Sequence, residues 1–149
     1  MRLVFGVYDV PYANDKEGTT TGDVAEILEA KYHPMELYFQ SHEEEIAGNV
    51  TDAFAGVLEN VMMGAPPPSD LSAAAAEGCS KIDAGFKNFL SSREFEYQAR
   101  LAGNVLDVPT QAALNGVNHR KKLKKGPRRP SLVDTGLYES SFVSWVEGD

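Results

Sequence analysis

A chain of 149 residues, 42% hydrophobic and 24% charged, has ordinary globular composition and is long enough for one domain with a real core. One cysteine and no run near the roughly 20 apolar residues of a membrane span exclude an internal disulfide framework, a cysteine-rich zinc site and a transmembrane segment. The net charge is −8, and the opening MRLVFGVYDV lacks a signal-peptide cleavage pattern, so assembly in a reducing cytoplasm is expected.

In chain order, RLVFGVYDV (2–10) reads as a strand apolar on both faces and stopped by Pro11, with Gly6 marking a bulge or close approach. Residues 11–22 are polar and turn-like. DVAEILEAKY follows, with Asp23 and Glu26 at capping-box spacing for a short helix. Pro34 suits the first turn of a longer helix. Along it Tyr38, His42, Ile46, Val50, Phe54, Val57, Leu58 and Val61 recur at steps of three or four, with Glu43–Glu45 on the wet face. Gly64 and Pro66–Pro68 stop this helix. A second stripe runs through Ala75, Cys79, Ile82, Phe86, Phe89 and Leu90, with Ser69 or Asp70 as its cap and Gly85 permitting close helix packing.

REFEYQARL (93–101) alternates and reads as a strand or a helix tail. VPTQAALNG supplies one or two helical turns, and SFVSWVE a last strand. The expected fold is α+β: a small antiparallel sheet from the chain ends, packed with two long central helices, in a single domain over 1–149. Because two strands alone are marginal, either 94–108 adds a third or a neighbouring subunit completes the sheet.

Charge is unevenly spread. Residues 1–118 carry −11, whereas 119–149 carry +3. All seven cations of that last segment fall in HRKKLKKGPRRP (119–130), which contains no acid; Gly126, Pro127 and Pro130 keep it extended or mobile. His119, Arg120, Lys121, Lys122, Lys124, Lys125, Arg128 and Arg129 are therefore candidates for contact with a phosphate backbone or an acidic protein surface, or simply a solvated loop. No aromatic residue is present there for base stacking, so sequence reading of single strands is not expected.

LVDTG (132–136) has the form that embeds the catalytic aspartate of aspartic proteases. Such an enzyme needs paired carboxylates, a β lobe and a flap. Helical segments before Asp134 and only 13 residues after Gly136 do not provide them. The expected role of Asp134, Thr135 and Gly136 is a structural turn, with Asp134 accepting backbone N–H groups and Gly136 allowing the bend. His42 and Glu45 form a weak metal pair without HExxH or a third ligand, so a half-buried core histidine is expected, and no metal or cofactor is assigned. His33 is placed to cap the helix at Pro34, and Cys79 is a small buried hydrophobe. No glycine-rich phosphate loop is present.

The C-terminal third also works as a unit. VPTQAALNGVNHR, a basic proline-containing loop and RPSLVDTGLYESSFVSWV resemble the C-terminal pattern of tail-completion and head–tail joining (neck) proteins of tailed bacteriophages. Pro130, Asp134, Thr135, Gly136, Leu137 and Ser140 match that family's turn, and VFGVYDVPYA…TTTGDVAEILE is loosely similar to its opening. The chain departs from the pattern by ending almost at once after the last strand. The resemblance implies an α+β fold, no enzymatic activity, and assembly as a homo-oligomeric ring in the virion neck between portal and tail, around the DNA channel. Its partners would be portal or head-completion and tail proteins, with possible non-specific contact with packaged DNA and none with membrane. Assembly would take place in the host cytoplasm. Phe142, Val143, Trp145 and Val146 are then candidates for an oligomer-forming strand. The alternative is a nucleic-acid-associated adaptor using residues 119–130.

Overall fold

The computed structural model describes residues 1–13, 17–103, 107–117, 122 and 124–148. The element order is β1 (Arg2–Val7), α1 (Thr21–Tyr32), α2 (Pro34–Met62), α3 (Leu71–Ser91), α4 (Glu94–Ala102), α5 (Gln111–Leu114), α6 (Leu137–Ser141) and β2 (Phe142–Glu147). The architecture is α+β: two antiparallel strands from the chain ends pack on the helices.

The strands pair from Arg2 opposite Glu147 to Val7 opposite Phe142. Phe142, Ser144 and Val146 are buried and their neighbours half-buried, the period-two signature of a sheet with one covered face. The other face carries Trp145, whose ring crosses Gly6 so closely that a Cβ there would lie 3.0 Å from it. Gly6 therefore marks a close approach. β1 ends at Val7, not at Val10 as the sequence suggests. The following backbone is taken by the start of α1: Thr21 Oγ1 donates to Tyr8 O (2.5 Å) and accepts from Val10 N (2.8 Å), and Asp9 accepts from Gly22 N (3.0 Å).

The capping box of α1 lies three residues earlier than expected. Thr20 has extended backbone and accepts from Asp23 N, while the Asp23 carboxylate accepts from Thr20 N. Asp23 thus closes the box instead of opening it. His33, at φ 52°, joins α1 to α2, and Pro34 occupies the first turn of α2 as expected. His33 makes no side-chain cap there. Glu29 of α1 reaches across to accept from Met35 N (3.0 Å) and Glu36 N (3.1 Å), satisfying two orphan donors of the new helix.

α2 buries Tyr38 and Ile46 but leaves Leu58, a predicted stripe residue, 61% exposed. A kink at His42 (φ −125°) interrupts the helix, where Ser41 Oγ donates to Leu37 O and the His42 ring nitrogen lies 3.3 Å from Tyr38 O. Asp70 caps α3 by accepting from Ala73 N (2.8 Å), and all six predicted stripe residues of α3 are buried. Gly78 sits against the Asn49 carbonyl and Gly85 against the Tyr38 hydroxyl, leaving no room for a Cβ at either position. Helices α2 and α3 therefore meet backbone to backbone at Gly78, and Gly85 makes room for the Tyr38 side chain.

Residues 94–102 form helix α4, not a third strand. Phe95 and Ala99, four residues apart, are buried; Tyr97 and Leu101 point outward. The core centres on Tyr38, Phe86, Phe89, Phe95 and Phe142. Phe86 and Phe142 stack with centroids 4.0 Å apart, tying the last strand to α3.

Candidate functional site

The basic segment is held at its base. Gly126 N donates to Asn115 O and Arg129 N to Ala113 O, both at 3.0 Å, so the chain returns onto α5. Gly116, at φ +63°, packs directly on the backbone of Gly126 and Pro127, where any side chain would collide. The C-terminal side of the segment is thereby anchored, contrary to the extended, mobile run its glycine and prolines suggest.

The arginines and the lysines play different parts. Arg128 donates to Glu96 Oε2 (2.6 Å). The same carboxylate accepts from Ser131 N (3.0 Å) and Ser131 Oγ (2.9 Å), and Glu96 is only 4% exposed. Arg129 donates to the carbonyls of Val117 and Val133 and approaches Asp134 Oδ1 at 3.8 Å. Both guanidinium groups, candidates for an external partner from sequence, are thus engaged within the chain. Lys122, Lys124 and Lys125 are exposed and form no ion pair among the described residues. His119, Arg120 and Lys121 lie outside the described residues.

The Asp134–Gly136 segment is a bend leading into α6, as the turn reading requires. The cap differs from expectation. Gly136, at φ +81°, occupies the N-cap position, and Thr135 Oγ1 accepts from Leu137 N (3.3 Å). Asp134 is two residues too early to serve as that N-cap and faces Arg129 instead. The turn forms one wall of a cavity of about 470 Å³, completed by Tyr12, Leu28, Tyr32, Thr110 and Tyr138. Burial pushes the Tyr138 hydroxyl well above the ordinary tyrosine range.

β2 meets α3 through a polar contact. Asp83 Oδ1 accepts from Ser144 N (2.8 Å) and lies 2.7 Å from Ser144 Oγ, which is also 3.1 Å from Cys79 O. Burial raises the Asp83 carboxyl above the usual carboxylate range against the lowering effect of these hydrogen bonds. Phe142 and Val146 are core residues, whereas Val143 and Trp145 lie half-buried on the outer face.

His42 is half-buried, 4.9 Å from the Tyr38 ring and 5.6 Å from that of Phe89, with Nε2 3.3 Å from Glu94. Its carboxylate neighbour comes from α4, not from Glu45. Glu29, His33 and Glu36 form a different cluster, with one ligand atom from each within 4.8 Å of the others. These groups close the α1–α2 joint: Glu29 caps α2, and His33 Nδ1 lies 3.1 Å from Glu36. Negative charge at that helix start is what the macrodipole favours.

Sequence reading missed Glu96 and Asp83. Each lies in an amphipathic helix beside a buried residue, and only the tertiary fold supplies its partner. No family model matches the chain, and neither a curated protein nor a solved structure matches it.

Proposed function

We propose that this chain is a structural virion protein of a tailed bacteriophage, a head–tail connector or tail-completion subunit that works without catalysis by docking as an oligomeric ring. The observation supporting this reading is the succession at the C-terminus. An anchored basic loop, the Asp134–Gly136 bend, helix α6 and strand β2 follow one another in the order that the sequence resemblance implies. Ring closure uses two different faces of each subunit. A body of net −11 with a basic segment offers opposite charges for such a contact or for an adjacent ring. Portal or head-completion and tail proteins are the proposed partners, in the virion neck. No helix among the described residues is long and apolar enough to cross a membrane.

Deleting the gene in the phage should leave filled heads and separate tails, and reconstruction of wild-type particles should place the protein at their junction. Normal particles lacking the protein would refute the reading. The exposed Lys122, Lys124 and Lys125 favour a second reading, a nucleic-acid adaptor. It requires binding of random DNA that falls steeply with salt and is lost on neutralising these lysines with Arg120 and Lys121.

A further inference from the structure

The two strands differ in what occupies their outward edges. Tyr8 N donates to Ser141 O (2.8 Å), which sets the pairing parity: Gly6 and Val4 bond to β2, and the backbone groups of Leu3, Phe5 and Val7 point away from it. On β2 the outward edge is met at Ser144 by Asp83 of α3. On β1 no strand or side chain among the described residues meets the outward edge. Beside it lies a groove of about 400 Å³ lined by Leu3, Phe5, Met35 and Phe39, with Glu29 and Glu36 on its polar side. Phe39 is 41% exposed there. An open strand edge next to apolar pockets is the geometry of β-strand addition.

We propose that this edge and groove receive the basic segment of a second copy of the chain, within residues 120–125. The argument is charge and pattern. RKKLKK has one apolar residue, Leu123, between paired cations, and the groove has an apolar floor with two carboxylates together on one side. Exposed Lys122, Lys124 and Lys125 have no ion-pair partner within their own described chain. Donor segment and acceptor groove are different surfaces, so the contact is heterologous and propagates from copy to copy until it closes. The inference rests on the ring reading above and names the surfaces that would make the ring.

The test is titration of the isotope-labelled full chain with a synthetic peptide of residues 119–130, followed by amide NMR. The expected result is perturbation of Leu3, Phe5, Val7 and Phe39, weakened at least tenfold by Glu36→Lys or Phe39→Ser in variants whose spectra remain folded. In the full chain, Glu36→Lys and Lys124→Glu should each reduce self-association, and combining them should restore it. Peptide shifts confined to other surfaces, no shifts at millimolar peptide, or self-association indifferent to all three variants would overturn the proposal. A ring found in particles despite those results keeps the functional reading and removes only this interface. Groove binding by a protein absent from particles does the reverse.

Discussion

Arg128 and Glu96 form a charge-assisted hydrogen bond of 2.6 Å across 32 residues of sequence, with Glu96 buried beneath and Arg128 partly open to solvent. One end of the basic segment is thereby fastened to α4. With Ser131 on the same carboxylate, Glu96 satisfies three donors that would otherwise lose their partner. Glu96→Ala should destabilise the fold by about 2–3 kcal/mol, below the full value of a buried pair because Arg128 can rehydrate. Glu96→Gln, which retains an acceptor, should cost about half as much. Urea unfolding of the three proteins measures both, and equal stability of Glu96→Ala and wild type would contradict the arrangement.

Glycines in the long helices separate into two kinds. Gly78 lies against the Asn49 backbone, so Gly78→Ala should cost about 1–3 kcal/mol through overpacking despite alanine's better helix propensity. Gly48 and Gly56 have open space at the Cβ position, so alanine there should stabilise by about 0.5–1 kcal/mol each. Thermal melts of the three single variants should shift in opposite directions.

The Asp83 contact predicts a pH dependence with a definite sign. Burial raises its folded-state carboxyl above the usual carboxylate range, so the folded state favours the proton more than the unfolded chain does. The stability contributed by that proton is fully present below the unfolded value and is lost as pH rises through the folded one. Asp83→Asn keeps an acceptor for Ser144 N without a buried charge. It should therefore be at least as stable as wild type at pH 7, with its advantage shrinking as pH falls toward 4. Denaturant midpoints at pH 7 and pH 4 check this, and an advantage that grew on acidification would rule it out.

Phe142 joins the last strand to the core by stacking on Phe86 and touching Tyr38 and Phe5. Phe142→Ala should cost about 3–5 kcal/mol, whereas Val143→Ala, on the half-buried outer face, should cost far less. Comparing the two by hydrogen exchange should show loss of β1–β2 protection for Phe142→Ala alone.

Much of this fold was legible because its signals are local. Asp70 before an apolar stripe, Pro34 at a helix start and the run from Ala75 to Leu90 each specify an element with no knowledge of the rest. Residues 93–101 were ambiguous because Phe95, Tyr97, Ala99 and Leu101 satisfy a period of two, while Phe95 and Ala99 also satisfy a helical period. Packing on Phe89 decides between them. Leu58 fits the helical stripe but lies where no described residue covers α2, which periodicity does not report. In the candidate site the basic loop and the turn were visible as composition. The inward use of Arg128 and Arg129 was not, because the partners Glu96 and Val117 are brought near only by the folded chain.

The sheet that joins residue 2 to residue 147 also fixes an order of events during synthesis. Helices α2 and α3 are neighbours in sequence and can pair while the chain is still being made. β1 is made well before β2, so Leu3, Phe5 and Val7 spend that interval without their strand partner. A ribosome stalled between α4 and β2 would therefore display β1 without its strand partner. Only when β2 (Phe142–Glu147) has been made does β1 gain its partner.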